Sequence, residues 1–483
     1  MNILQVSAEL FPLLKTGGLA DVAGALPGAL QAEGCDVRVL LPGFTPILEG
    51  LDKVKHLTEL VTPWGEKVHL LAGELSALGV KAYVIEAPAL CARPGNPYED
   101  THRHPYGDNH RRFALLGWVA SLLAQGLDSL WQPQVVHSHD WHAGLASAYL
   151  AFAPPREGPR VRTVFTVHNL AYQGLFSGHH LAELGLPPAA MSIHGLEYHG
   201  QISFMKAGLF YSDRITTVSP TYAQEIQTPE QGCGLDGLLR GRRHVLSGIL
   251  NGVDESIWNP ATDKLIQSRY EAGKMAGKAQ CRAALQNAFG LEAQSTRPVF
   301  GVVSRLTEQK GLHLVLAALD AMVAQGGQLV MLGSGEAWME NAFRAYAENH
   351  PESVAVHLGY DESLAHRIFA ASDVTLVPSR FEPCGLTQMY GFKYGSLPLA
   401  HRVGGLADTV VDCSLEDMAA QQANGFIFDD FSQAGFERAM RRAFALYARR
   451  KDWADVVNHA MRLSMGWQRS ARAYVALYQQ VTH

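Results

Sequence analysis

Short apolar runs recur along the chain, each closed by a polar or Gly/Pro turn and followed by a segment of helical character. In the first half they are Ile3–Ser7, Asp36–Leu41, Lys81–Glu86, Gln134–His139, Thr163–Val167 and Arg214–Val218. In the second half they are Val299–Ser304, Gln328–Leu332, Val354–Leu358, Val374–Pro378, Leu397–Ala400 and Gly425–Phe428. Continuous apolar strands alternating with helices predict parallel sheets covered on both faces. Two such series predict an α/β protein of two doubly wound, Rossmann-like domains. The turn-rich stretch Ser247–Pro260 marks the boundary, giving domains over 1–247 and 248–460. A helical tail is expected from about Arg438 to Gln480, with Gly466-Trp467 able to bend it. In open α/β sheets ligands bind beyond the carboxyl ends of the strands. Two such domains facing each other therefore predict a site in the central cleft, and the residues just after each strand come first.

Composition narrows the chemistry. The 483 residues are 47% hydrophobic and 18% charged, with a net charge of −6, which is too long for one ordinary core. No Lys/Arg run exists, so nucleic-acid partners are not expected and an anionic ligand must be held by a few placed cations. None of the six Cys forms a C-x-x-C pair, against a zinc cage or redox motif. Scattered single Cys suits a reducing, cytoplasmic setting. The N-terminus lacks a basic leader and carries Glu9 early, unlike a signal peptide. No apolar stretch reaches the roughly 18 residues of a membrane span.

Four post-strand segments carry candidate chemistry. Lys15-Thr16-Gly17-Gly18-Leu19-Ala20-Asp21 opens a helix after the first strand. Adjacent glycines let backbone amides approach an anion, and the helix start adds positive potential. A tight turn with a solvated Lys is the plainer reading. Ser304-Arg305 and Lys310-Gly311 follow the strand Val299–Val303, so a planar fork and a point charge can converge on a diphosphate. The alternative is a surface Arg and a helix-entry Lys. Because these two cationic loops fall in different domains, a shared ligand would bridge the cleft.

The third segment, Ser379–Thr387, precedes a helix. Gly385 permits close backbone approach, the amides of Leu386 and Thr387 can cap a phosphate, and Glu382 would sit beside a reacting sugar. Cys384 is read as a packing residue, since no His adjoins it in the motif. The fourth pairs His137-Ser138-His139-Asp140-Trp141-His142 with Thr166-Val167-His168-Asn169. Metal ligation is disfavoured, because no downstream Cys/Glu cluster completes a tetrahedral site. A polar rim gripping sugar hydroxyls is expected instead, with Asp140, His168 and Asn169 among its contacts. No P-loop occurs, and Gly333-Ser334-Gly335 lacks the third glycine of a dinucleotide fingerprint.

These motifs, in order and over essentially the whole chain, resemble the bacterial and plant glycogen/starch synthases, retaining glycosyltransferases of GT-B architecture. The resemblance rests on K-T-G-G-L-A-D-V at Lys15–Val22, H-S-H-D-W-H-A-G at His137–Gly144 and T-V-H-N at Thr166–Asn169. It rests equally on S-R-L-T-E-Q-K-G at Ser304–Gly311, S-R-F-E-P-C-G-L-T-Q at Ser379–Gln388 and G-G-L-A-D-T-V at Gly404–Val410. It implies ADP-glucose as donor and the nonreducing end of an α-1,4-glucan as acceptor. It also implies a C-terminal helix, over 461–483, crossing back to the first domain. By position, Lys15 and Gly18 belong near the donor's phosphates and sugar, with Asp21 in the same motif. Arg305 and Lys310 match the diphosphate cations, and Glu382 the acid on the donor glucose. His168 matches a donor-pocket His, and Tyr360 is expected to stack on adenine. Many retaining transferases carry a second Glu seven residues on; here Tyr390 stands there.

Transfer with retention is implied by the resemblance. Lys15, His168, Arg305, Lys310 and Glu382 form the expected catalytic set, and no cofactor or metal is expected if the cations neutralise the leaving diphosphate. A UDP-glucose-dependent relative and a non-catalytic glucan-binding protein are the competing readings. A pyridoxal-dependent phosphorylase finds no supporting segment.

Overall fold

A computed structural model describes residues 1–153, 158–293 and 296–482. In chain order the first strands are β1 (Asn2–Val6), β2 (Asp36–Pro42), β3 (Asp52–Val61), β4 (Lys67–Leu75), β5 (Val80–Glu86), β6 (Val135–His139) and β7 (Arg162–Val167). Then come β8 (Leu175–Ser177), β9 (Glu197–Tyr198), β10 (Gln201–Ser203), β11 (Arg214–Thr217) and β12 (Leu246–Gly248). The second half contributes β13 (Val299–Val303), β14 (Gln328–Gly333), β15 (Val354–Leu358), β16 (Val374–Val377), β17 (Leu397–His401) and β18 (Phe426–Phe428).

The chain divides into two compact units, Met1–Gly252 with Trp467–His483, and Val253–Gly466. The first holds a nine-stranded sheet, β12-β11-β7-β6-β1-β2-β5-β4-β3, and a small antiparallel sheet of β8, β10 and β9. The second holds a six-stranded sheet, β15-β14-β13-β16-β17-β18, parallel throughout. In the large sheet β4 alone runs against the other strands, pairing antiparallel with β3 and β5. No apolar run announces them, because β3 is an edge strand whose residues are mostly exposed. Charged and polar residues suit such an edge, since they discourage pairing with another chain.

Both sheets reverse their strand order beside a central strand. In the first unit β1 lies between β2 and β6; in the second, β13 lies between β14 and β16. The crevice at such a reversal is where α/β sheets bind ligands. The loops after β1 and β6, and those after β13 and β16, are the segments carrying the sequence motifs.

The unit boundaries follow from pairing. Leu246–Gly248 hydrogen-bonds to β11, and the Ile249 amide donates to the Thr217 carbonyl, so the chain stays with the first sheet to Gly252 instead of leaving at 247. The tail is three helices, Gln433–Ala448, Arg450–Arg462 and Trp467–Thr482. In the last, Trp467, Ala471, Tyr474, Tyr478 and Val481 fall on one helical face and pack on Ile3, Val22, Leu26, Leu30 and Val37. That burial assigns the C-terminal helix to the first unit.

In the second unit a buried lysine ties two helices together. Lys278 Nζ donates to the carbonyls of Ala370, Ser372 and Tyr394 at 3.1, 2.8 and 2.9 Å. These carbonyls close the helices Glu362–Ala371 and Thr387–Tyr394. Bare buried acceptors cost about 1–3 kcal/mol each, so Lys278→Met is expected to destabilise this unit by about 3 kcal/mol. A clear fall of its unfolding midpoint in calorimetry of the full chain checks this; an unchanged midpoint would count against the tie.

Candidate active site

In the second unit Lys310 and Glu382 meet at the switch between β13 and β16, and Arg305 lies two residues past the end of β13. The amides of Ser304 and Leu306 donate to the carbonyls of Leu332 and Ser334 at 3.1 and 3.0 Å, pinning the Arg305 backbone against the loop after β14. Gly333 and Gly335 make this approach possible: a Cβ on either would lie 1.8 Å from the Ser304 oxygen or 2.2 Å from that of Leu306. The two glycines thus serve loop packing, not a dinucleotide. Arg305 itself is exposed. Gly311, at φ +68°, turns the chain into the following helix, and a Cβ there would lie 1.9 Å from the Pro378 oxygen.

That turn brings Lys310 to Glu382, Nζ to Oε2 at 2.7 Å, and Ser379 donates to the same oxygen at 2.8 Å. Glu382 is buried and Lys310 half-buried. An ammonium has three donors, so one contact with Glu382 leaves two for a ligand. Lys310, Glu382, Ser379 and Thr387 line one small cavity. Gly385, at φ +73°, makes the turn into the helix Thr387–Tyr394, and Gln388 Nε2 braces it by donating to the Gly385 and Cys384 carbonyls at 2.7 and 3.1 Å. The first amides of a helix have no carbonyl partner within it, so Leu386 and Thr387 present donors where an anion would sit. Cys384 is buried, as a packing residue would be.

Two glycines of the Gly404–Val410 motif, to which the sequence assigned no role, hold Glu382 in place. The Gly405 amide donates to the carbonyls of Glu382 and Pro383, both at 3.1 Å. Cβ atoms on Gly404 and Gly405 would lie 2.0 Å from the oxygens of Glu382 and Cys384. Tyr390 stacks on Trp258, centroids 3.9 Å apart and planes 15° from parallel, with His366 on the other face of the indole. The position where many retaining transferases carry a second Glu is here spent on packing. Tyr360 stands just past β15, 74% exposed.

In the first unit Lys15 pairs with Asp21 at 2.9 Å. The amides beside it are already engaged: Thr16 and Gly17 donate to Glu9 Oε2 at 2.6 and 3.3 Å, and the Tyr98 hydroxyl donates to the other oxygen. Glu9 therefore shapes the loop, taking amides that the sequence offered to an anion. A Cβ on Gly18 would meet nothing within 4 Å, so open space lies above it.

The histidine motif is a correction. It does not form a rim: His137, His139 and His142 are buried, and burial drives His137 and His142 down to about 3 and His139 well below the ordinary range. All three are neutral. His168, Asn169 and Trp141 reach partial exposure. Asp140 is also buried, and its Oδ1 accepts the amides of His168 and Asn169 at 2.7 and 3.4 Å, so it holds the loop that follows β7. The physical reason is position: β6 is a central strand, both of whose faces are covered.

Among the described residues, the His and acid side chains that do converge are His110, His180 and Glu183. There Arg111 pairs with Glu183 and the imidazoles stack at 3.7 Å, an arrangement in which a fixed cation already holds the carboxylate.

Burial raises Asp140 from 3.8 to about 7. Between these values the folded state holds a proton that the unfolded state has lost, so this group's contribution to stability falls as pH rises. Asp140→Asn keeps an oxygen for both amides and removes the titration. Relative to the parent, the variant's unfolding free energy is expected to rise from pH 4 to 7, by at most about 1.4 kcal/mol per pH unit. A gap that stays flat or narrows with pH would refute this.

Comparison with known proteins agrees with this geometry. Residues 2–241 match the family model described as starch synthase catalytic domain, and 286–457 that of glycosyl transferases group 1. The chain is 62% identical to the glycogen synthase of Variovorax paradoxus strain S110, covering 99% of each, and 59% identical to that of Leptothrix cholodnii, covering all of both. The catalytic domain of Arabidopsis thaliana starch synthase IV, solved with ADP and acarbose, superposes with a TM-score of 0.89 at 33% identity, over 100% of this chain and 99% of that one. A sucrose-phosphate synthase from Thermosynechococcus elongatus, at 18% identity, TM-score 0.58 and coverage of 99% and 98%, shares the fold.

Proposed function

The chain belongs to the glycogen/starch synthase family, and we propose that it transfers glucose from ADP-glucose to the nonreducing end of an α-1,4-glucan, with retention and release of ADP. The observation that carries this is the Lys310–Glu382 pair sharing a cavity with Ser379 and the helix start at Thr387, at the strand-order reversal of the second unit.

As the anomeric C–O bond stretches, negative charge grows on the departing diphosphate. Cations and amides already aimed at it stabilise that charge more than the intact donor, and so lower the barrier. Arg305 and the two remaining donors of Lys310 take phosphate oxygens, with the amides of Leu386 and Thr387. Glu382 orients Lys310 and meets the donor glucose. Tyr360 stacks on adenine. From the first unit Lys15, with Gly18 and Asp21, meets the donor's phosphates and sugar, and His168 and Asn169 meet sugar hydroxyls. The bond to C1 forms from the acceptor 4-hydroxyl oxygen, and its proton passes to the departing phosphate on the same face. Glu382 acts by charge and position, since Lys310 and Ser379 both occupy its Oε2. With these groups neutralising the diphosphate, no metal is required.

Glycogen-primed turnover with ADP-glucose and with UDP-glucose tests the reading. Release of ADP with glucan extension, undiminished by a chelator, is the expected result. Preference for UDP-glucose would assign the chain to another transferase. Glycogen binding without ADP release would leave it a glucan-binding protein.

A further inference from the structure

One buried network in the first unit is not used by this reaction scheme. Gln5, His137, His139 and Tyr478 lie at no more than 2% exposure, yet their side chains join in one continuous hydrogen-bonded line. It starts on the C-terminal helix at Tyr478, whose hydroxyl is 2.7 Å from His137 Nδ1. Gln5 Nε2 lies 3.4 Å from that hydroxyl and 3.3 Å from the same imidazole nitrogen. Its oxygen lies 2.6 Å from His139 Nε2. His139 Nδ1 in turn lies 2.9 Å from Nε2 of His168. A branch leaves His137 Nε2 for Thr166 at 2.6 Å.

The directions are coupled. A neutral imidazole has one donor and one acceptor nitrogen, and which is which follows from its partners. The amide oxygen of Gln5 can only accept, so His139 donates through Nε2 and must accept at Nδ1. His168 then donates from Nε2 and keeps a bare lone pair on Nδ1. On the other side the Gln5 NH2 donates toward His137 Nδ1 and the Tyr478 hydroxyl, so His137 carries its proton on Nε2 and gives it to Thr166. Turning the Gln5 amide over would reverse every link. Burial keeps His137 and His168 neutral, both driven down to about 3, so the order is not erased by a second proton.

We infer that Tyr478, His137, Gln5 and His139 are positioning residues that fix the proton of His168 on Nε2, so that His168 meets a sugar hydroxyl through Nδ1 as an acceptor. This rests on the reading that His168 faces the donor. It gives the C-terminal helix a part in the reaction: through Tyr478 it sets the protonation pattern of a residue on a distant strand end.

The test uses the full-length enzyme labelled with 15N-histidine, with His168 assigned in long-range 1H–15N spectra through a His168→Gln variant. The parent is expected to show His168 protonated at Nε2. Gln5→Glu preserves shape but offers only acceptors. It should draw a second proton onto His139, whose Nδ1–H then pushes His168 to the other tautomer. Its kcat/KM for ADP-glucose should fall by about 10–100-fold, the range seen for hydrogen-bond partners one layer behind a functional His. Tyr478→Phe frees the Gln5 amide and should populate both tautomers, with a smaller loss. His168 protonated at Nδ1 in the parent overturns the inference. So does a Gln5→Glu enzyme that folds and loses activity with the His168 tautomer unmoved. If Gln5→Glu does not fold, the parent spectrum and Tyr478→Phe decide. A parent that turns over ADP-glucose with the wrong tautomer sinks the chain of histidines alone; the expected tautomer without turnover sinks the functional reading alone.

Discussion

Lys310→Ala is expected to lower kcat with ADP-glucose by about 10²–10³-fold, roughly 2.7–4 kcal/mol, the loss seen when one preorganised donor to a developing anion is removed. The same change strands Glu382, a buried carboxylate whose only cationic contact at hydrogen-bond distance among the described residues is Lys310 at 2.7 Å. Leaving one partner of a buried pair uncompensated costs about 3 kcal/mol. Stability and turnover should therefore fall together in Lys310→Ala but separate in the double variant Lys310→Ala/Glu382→Gln. There the stranded charge is gone and the unfolding midpoint recovers, while turnover stays low because the diphosphate still lacks its cation and the donor glucose has lost its carboxylate. Turnover recovering along with the midpoint would mean that Lys310 acts only as a structural counter-ion. Steady-state kinetics and thermal unfolding on the three proteins decide this.

Gly404→Ala is expected to be nearly as damaging, though its side chain touches no ligand. Its φ of +43° is a conformation that costs an L residue roughly 1–2 kcal/mol. The added methyl would also sit 2.0 Å from the Glu382 carbonyl oxygen, a backbone atom that no rotamer change can remove. Together with overpacking of about 1–3 kcal/mol, the variant should lose about 3 kcal/mol in stability. Glu382 must move to relieve the clash, and displacements of about 1 Å at a reacting centre can cost 10²-fold in rate. Gly28→Ala is the control, since a Cβ there meets nothing within 4 Å in the helix Gly18–Ala32. It should leave turnover unchanged and gain up to about 1 kcal/mol. Equal activity in Gly404→Ala and Gly28→Ala would show that the glycine does not hold Glu382.

Much of the site was readable from the chain because its residues follow apolar strands directly. Arg305 and Lys310 come within seven residues of the end of β13, and Glu382 within five of the end of β16. A strand buried on both faces needs an unbroken apolar run, so its end is marked, and the first polar residues beyond it face the crevice. Glu9 had the same signal, an acid just past β1, yet was read only as an argument against a leader peptide. The histidines misled because three polar rings within six residues suggested a rim open to sugar hydroxyls, whereas β6 is covered on both faces and they are buried. Tyr478 carried no local sign of its role, being 341 residues from His137.

Local pattern, then, determined the two α/β series, the turns that end their strands and the charged residues at those turns, because strand burial and turn geometry act over a few neighbouring residues. The order of strands in each sheet was decided only by tertiary packing. So were the return of the C-terminal helix to the first unit, the seating of Gly404 and Gly405 on the Glu382 backbone, and the hydrogen-bonded line to His168. These depend on contacts between segments tens to hundreds of residues apart, and burial chooses such partners by shape and by the need to satisfy every buried polar group.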